Sequence, residues 1–194
     1  MATDERRAKV KRVLENRFAD LRVVMEDIKN AHNASAVVRT CDAAGILYVD
    51  VISADEQPFP VNEAISTRAE KWILINYHEN TRACLTELKK KGFALAATFL
   101  GEDTIPYTEV DFTKPTAVIF GNEAEGISSV ARDMADHIIQ IPMWGMVRSL
   151  NLSVSTGIIL YEAIRQRMIS PSYVRRGLSP EEMDTIARRW LNLD

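Results

Sequence analysis

The 194-residue chain reads as an α/β protein, a mostly parallel sheet with helices on both faces. Three observations predict this. Strand-like and helix-like segments alternate through the middle of the chain. Two of the strands, Phe93–Leu100 (FALAATFL) and Thr116–Phe120 (TAVIF), are continuous apolar runs, the pattern of a strand covered on both sides. Three segments then carry polar clusters where strands should end: His32–Gly45 (HNASAVVRTCDAAG), Ile119–Ser128 (IFGNEAEGIS) and Ile141–Ser155 (IPMWGMVRSLNLSVS). In an α/β sheet, polar groups at strand ends face a ligand more often than not.

Taken in order, residues 4–15 form a short helix with Val10, Val13 and Leu14 on its apolar face. Leu21–Met25 is a buried strand. Asn33–Ala44 is a helix closed by Gly45, and Ile46–Ile52 a second strand. A proline-containing loop leads to a helix over Asn62–Glu70 and a strand over Trp72–Tyr77. Asn80–Lys91 is helical, with the basic run Lys89–Lys91 in its last turn and Gly92 after it. The two apolar strands follow, then a helix over Ser128–Ala135, a strand over His137–Ile141 and a long helix over Leu150–Met168. A final helix opens at Leu178: Ser179 caps it, Pro180 suits its first turn and Glu182 completes a capping box. There is no internal repeat.

The bulk numbers fit one globular domain with short extensions: 46% of residues are hydrophobic and 26% charged, enough for a full core. No apolar run reaches the roughly 18–20 residues of a membrane helix, and the opening MATDERRAKVKRVLE is charged throughout, so no membrane association and no secretory signal are expected. Cys41 and Cys84 form no CxxC pair, which fits a reducing cytoplasm rather than a disulfide framework. His32, His78 and His137 lack metal-ligand spacing, so no metal is expected.

Net charge is −3, but it is unevenly spread. Residues 1–17 hold six basic residues (Arg6, Arg7, Lys9, Lys11, Arg12, Arg17) against three acidic ones, and residues 165–190 hold six (Arg165, Arg167, Arg175, Arg176, Arg188, Arg189) against three. The stretch between them is acidic. Basic ends on an acidic body suit a phosphate-gripping edge; two solvated amphipathic helices are the plainer alternative.

Several chemistries lose weight at once. None of the eight glycines forms GxG, so the dinucleotide fingerprint is missing. In GNEAEGIS two glycines stand at phosphate-loop spacing, but Ile127 follows where the lysine belongs, and no GxSxG elbow appears. What remains is less familiar. Asn33 sits at a helix start with Arg39 nearly two turns on; alone, they would be a cap and a surface cation. Gly121 ends a strand and Asn122–Glu123 follow, either a polar turn or a ligand loop. Pro142 and Gly145 force an irregular loop, and Ser149 and Asn151 begin a helix, with Ser149 as the simple cap. Met143, Trp144, Met146 and Val147 make that loop too apolar to face water alone.

In order and spacing the three segments resemble the three motifs of the TrmH family of SPOUT-class RNA ribose methyltransferases. HNASAVVRTCDAAG is similar to the first, with its asparagine and arginine; IFGNEAEGIS to the second, with G-N-E; IPMWGMVRSLNLSVSTGIILYE to the third, with S-L-N. The resemblance extends to the basic helices and so covers nearly the whole chain. Within the family, MEDIKNAHNASAVVRTCDAAG and GMVRSLN most resemble the members that methylate the D-loop guanosine of tRNA, guanosine 18. Arg148 departs from them, since glutamine is expected there, and this bears on the substrate more than on the reaction.

The resemblance implies a deep C-terminal trefoil knot, a homodimer and S-adenosylmethionine bound in the knot loops. It divides the chain into a basic helical extension over 1–17, a methyltransferase domain over 18–168 with the knot in about 95–168, and a second basic helical extension over 169–194. It implies Arg39, Asn33, Glu123, Ser149 and Asn151 as the catalytic set. Leu100, Gly101, Phe120, Gly121, Asn122, Ile141, Pro142, Met143, Leu150 and Asn151 would hold the cofactor, and Arg6, Arg7, Lys11, Arg12, Arg175 and Arg176 the RNA. The family's proposal of Arg39 as a base sits poorly with a guanidinium, which stays protonated in almost any site. A grip on substrate phosphate, with its charge easing alkoxide formation, is the better reading. The alternatives are the same reaction on ribosomal RNA or on another tRNA position, a non-catalytic RNA-binding or assembly factor on the same fold, or an unrelated nucleotide-using α/β enzyme, which the missing phosphate loops disfavour.

Overall fold

The computed structural model describes residues 3–53 and 62–193. The proline-containing loop expected after the second strand falls at 54–61, outside the described residues. Seven parallel strands form one sheet: β1 (Leu21–Glu26), β2 (Tyr48–Ile52), β3 (Leu74–His78), β4 (Ala94–Thr98), β5 (Ile105–Pro106), β6 (Thr116–Phe120) and β7 (His137–Gln140), in the order β3-β2-β1-β6-β4-β7-β5. The helices are α1 (Asp4–Glu15), α2 (Ala31–Ala43), α3 (Glu63–Ser66), α4 (Thr81–Lys90), α5 (Ser129–Met134), α6 (Leu152–Ile169) and α7 (Pro180–Leu191).

The predicted alternation sorts the strands' side chains onto two faces. Val23 and Met25 of β1, Val118 and Phe120 of β6 and Ile139 of β7 pack with Val37, Val38 and Cys41 of α2 and Ile159, Leu160 and Ala163 of α6. Val24, Ala117, Ile119, Leu95 and Ala97 face the other way, onto Cys84, Leu85 and Leu88 of α4 and Ala131 of α5. Both faces are therefore covered, as the apolar strand runs required. β1 and β6 lie at the centre, so the segments leaving β1, β6, β4 and β7 emerge side by side at one end of the sheet.

Four expectations need correction. The second helix begins two residues early, because Asn30, not Asn33, caps it: the Asn30 side chain accepts from the backbone N–H of His32 at 2.9 Å and of Asn33 at 3.3 Å. The helix expected over 62–70 is only α3 and a 3₁₀ turn at Ala69–Trp72; between them Thr67 (φ 53°) and Arg68 (φ 64°) adopt left-handed backbone, which ends a helix. The short strand β5 carries no apolar run and escaped notice. The long helix starts at Leu152, not Leu150, and its cap is Asn151, not Ser149.

The terminal helices are not separate appendages. Val10 and Leu14 of α1 join Ile186, Trp190 and Leu191 of α7, with Leu47, in a third core. The Ser179–Glu182 capping box forms as expected. Two cations counted among the basic ends are interior. Arg17 is buried, paired with the Asp42 carboxylate and donating to the Ile46 and Trp72 carbonyls at 3.1 and 2.8 Å. Arg167 is buried against Asp20 at 2.6 Å and donates to the Phe112, Asp20 and Lys114 carbonyls. Neither is available to a phosphate.

Candidate active site

The site begins with a backbone constraint at the end of β6. A Cβ on Gly121 would lie 2.2–2.3 Å from the backbone of Gly126 and Ile127, closer than any side chain tolerates, so the strand end and the returning loop touch only because residue 121 is glycine. The Gly126 amide closes the loop onto the Asn122 carbonyl at 2.8 Å, with Gly126 at φ +74°. The Asn122 side chain braces it from within, accepting from Ala124 and Glu125 N–H and donating to the Asp27 carbonyl at 2.9 Å.

Below the loop, the buried Glu26 carboxylate at the end of β1 accepts from Thr81 Oγ1 at 2.6 Å and from Ser128 Oγ and N at 2.7 and 2.8 Å. It pins the far end of the loop to β1 and to α4, with no counter-cation among the described residues. VVME reads only as a strand end, and partners 55 and 102 residues away leave no local sign of this role.

The braced loop carries Glu123 across to the first turn of α2. Asn33 Nδ2 donates to Glu123 Oε1 at 2.6 Å, and Asn33 Oδ1 accepts from Asn151 Nδ2 at 3.2 Å. Asn151 Oδ1 meanwhile caps α6 through Ser153 N and Oγ at 2.9 and 2.7 Å. One residue from each of the three clusters thus enters a single chain of hydrogen bonds, which fixes the amide orientation of Asn33 although the positions lie 90 and 118 residues apart.

The chain edges a cavity of about 570 Å³. Of the predicted site residues, Asn33, Leu100, Phe120, Gly121, Asn122, Glu123, Ile141, Met143, Ser149, Leu150 and Asn151 line it. Gly101 and Pro142 lie one residue outside the lining. Arg39 is also outside: it is exposed on α2 and has no hydrogen bond or ion pair among the described residues. The lining adds residues that sequence reasoning missed, among them Thr98, Gln140, Ser155 and Ile159. Two of these, Gln140 and Ser155, adjoin or fall within the third cluster and could have been found from it.

The walls are apolar at Phe120, Ile139, Ile141 and Leu150, and polar at Asn33, Glu123, Gln140, Ser149 and Asn151. Such a lining suits a ligand with a flat apolar body and several hydrogen-bonding groups. It holds no cysteine: both thiols are buried elsewhere, and burial pushes Cys84 up to about 12 and Cys41 higher still, so neither is a nucleophile. Among the described residues no group of histidine, cysteine and carboxylate side chains has the make-up of a metal site, and no helix is long and apolar enough to cross a membrane.

Comparison with known proteins covers both the site and the sheet around it. A tRNA (guanosine(18)-2′-O)-methyltransferase of Aquifex aeolicus is 44% identical over 190 residues, 98% of this chain and 90% of that protein. A crystal structure described as the A. aeolicus TrmH/SpoU tRNA modifying enzyme matches with a TM-score of 0.91 at 44% identity, covering 98% of this chain and 97% of the other. An AdoMet-bound rRNA methyltransferase from Sinorhizobium meliloti matches more distantly, with a TM-score of 0.68 at 26% identity over 80% of this chain and 59% of the other. Residues 20–161, which hold all seven strands and all three strand-end clusters, match the SpoU rRNA Methylase family, and the chain belongs to that family.

Proposed function

We propose that this methyltransferase moves the methyl group of S-adenosylmethionine onto the ribose 2′-hydroxyl of guanosine 18 in the D-loop of tRNA, in the cytoplasm. The observation that carries the reading is the meeting of Asn33, Glu123, Ser149 and Asn151 at one cavity. The target follows the relative alike over nearly the whole chain, whose name states that reaction.

The cavity fits the cofactor in chemistry. Phe120, Ile141, Met143 and Leu150 would take its apolar parts. Backbone at Gly121, where no side chain intrudes, and Asn122, Leu100, Gly101 and Pro142 at the rim would take the rest. When bound, S-adenosylmethionine supplies the activated methyl carbon. The chain's own task is placement: holding the acceptor hydroxyl in line is worth several kcal/mol, up to roughly 7–11 in ideal cases. No metal is needed for that task. Asn33, oriented by Glu123 and Asn151, would direct the ribose, with Ser149 beside it. Arg39, exposed on the same helix and without a partner among the described residues, would grip a substrate phosphate and ease loss of the hydroxyl proton to phosphate or water.

The same reading includes a trefoil knot within about 95–168 and a twofold homodimer. Exposed Tyr161, Met168 and Ile169 on α6 support the dimer. The basic extensions, 1–17 and 169–194, would hold tRNA backbone through Arg6, Arg7, Lys11, Arg12, Arg175 and Arg176, all of them exposed. Arg175 also stacks over Phe18 at 4.5 Å.

Incubation with labelled S-adenosylmethionine and unmodified tRNA, followed by nuclease mapping, tests the reading. Label on the 2′-oxygen of guanosine 18 is the expected result. Label elsewhere in tRNA, or only in ribosomal RNA, changes the target; cofactor binding with no transfer to any RNA leaves a non-catalytic binding factor.

A further inference from the structure

Between the lining residues Met143 and Ser149 runs Trp144–Gly145–Met146–Val147–Arg148, a segment that neither cofactor nor acceptor hydroxyl accounts for. All five residues are exposed; Trp144 is 94% exposed and Met146 fully so. The other two tryptophans behave differently. Trp72 and Trp190 pack edge to face with centroids 5.5 Å apart, and Trp190 is buried beside Arg17.

Position, charge and chemistry identify what Trp144 awaits. One peptide link puts its Cα about 3.8 Å from that of Met143, a lining residue, and Arg148 stands one peptide link from Ser149, another lining residue. From Ile141 to Asn151 the single charged residue is Arg148, and it has no hydrogen bond or ion pair among the described residues. An exposed indole and a guanidinium without a partner, carried on one short segment that leaves and re-enters the cavity lining, match a single-stranded nucleotide, whose base stacks on an aromatic face while a phosphate meets arginine. A protein surface would cover the indole equally well. The cation without an anion, next to a reaction on a polyanion, favours RNA.

We propose that Trp144 and Arg148 clamp the acceptor nucleotide, with the indole stacked on its base and the guanidinium on a flanking phosphate. This rests on the ribose-methylation reading above. It deepens that reading by giving the base, and not only the ribose, a place on this chain. An acceptor ribose facing the cavity needs its base out of the stack, and the clamp receives that base.

Tryptophan fluorescence with S-adenosylhomocysteine bound, titrated with unmodified tRNA transcript, tests the stack. The parent should be quenched and Trp144→Phe should lose most of the change, since Trp72 and Trp190 pack against each other in the third core. In steady-state methylation, Trp144→Ala should raise KM for tRNA about tenfold, while Trp144→Phe stays within about threefold and cofactor affinity stays within about twofold. Arg148→Gln should flatten the salt slope of tRNA binding by about one. Parent KM in Trp144→Ala, with no RNA-dependent quench in the parent, overturns the clamp. So does a Trp144→Ala protein that sediments as a monomer where the parent is a dimer, because the indole then covers a second copy. A quench by tRNA without methyl transfer to it would sink the assigned target and leave the clamp standing.

Discussion

The two ends of the sheet treat polar groups in opposite ways. Around the starts of the strands the charges are buried and closed into pairs: Arg17 with Asp42, Arg22 with Asp50 at 3.0 Å, and Arg167 with Asp20 at 2.6 Å. Each arginine also lies against an aromatic ring, Arg22 over Tyr48 at 4.2 Å and Arg167 over Phe18 at 5.2 Å among them. At the strands' C-terminal ends, above the buried Glu26, the hydrogen-bond chain at the cavity is built from neutral amides and the exposed Glu123 carboxylate, and two arginines, Arg39 and Arg148, have no hydrogen bond or ion pair among the described residues. A buried pair broken on one side strands a charge. An exposed, half-satisfied amide or guanidinium trades its partners for a ligand at little cost. The first arrangement holds the fold, and the second leaves groups free to act.

The largest effect expected from this contrast is on rate. Arg39→Ala should cut single-turnover methyl transfer from prebound tRNA by about a hundred- to a thousandfold, the scale for removing one donor from a developing oxyanion. Its unfolding midpoint should match the parent, since Arg39 is exposed and has no hydrogen bond or ion pair among the described residues. Arg39→Lys should fail as well, because an ammonium keeps the charge and loses the planar fork. A lysine rate within about tenfold of the parent would show that a plain positive charge suffices.

At the opposite end the loss falls on stability and spares the rate. Arg167→Ala leaves the buried Asp20 carboxylate without its cation and takes the guanidinium donor from the Phe112 carbonyl, so it should cost about 3–5 kcal/mol in denaturant unfolding. The fraction still folded should turn over at the parent rate. A loss of rate without loss of stability would mean that the two ends are coupled through α6.

Gly121→Ala sits at the boundary of the two behaviours. Its methyl group would enter backbone at 2.2 Å, so the loop must move away from β6. The expected cost is about 1–3 kcal/mol of stability, as for other overpacked interiors. Cofactor affinity, read by calorimetry with S-adenosylhomocysteine, should fall further than the stability loss explains, because the displaced loop carries Glu123.

How legible each end was in the sequence follows from how local its causes are. The alternation of strands and helices, the buried runs and the Ser179 box are set by neighbours in the chain, and all were readable there. The burial of Arg17 and Arg167 was not, since it depends on acids 25 and 147 residues away. Counted by sequence alone, both passed for surface cations. The three polar clusters were visible as oddities, but their joining through Asn33 needed the fold. The choice of cap had the same difficulty: Asn30 and Asn33 stand three residues apart at one helix start, and periodicity cannot choose between them. Ser149 and Asn151 pose the same ambiguity two residues apart.

The pair of asparagines offers the smallest and most discriminating test. Among the described residues the Asn30 side chain makes only local hydrogen bonds, to the N–H groups of His32 and Asn33, so Asn30→Ala should cost about 1 kcal/mol of stability, within a range of about 0.5–2 for lost caps. Its methyl-transfer rate should stay within a few-fold, because the first turn of α2 is also held by Asn33 to Glu123 and Asn151. Asn33→Ala should do the opposite. It removes an exposed link that contributes little to folding, so stability should change by under about 0.5 kcal/mol, while the rate should drop well over tenfold as the ribose loses its guide. Denaturant unfolding and single-turnover transfer on both variants give four numbers. If the two variants lose rate and stability in the same proportion, the cap and the hydrogen-bond chain are one structural unit, and the division between a fold-holding and an acting end of the sheet does not reach into α2.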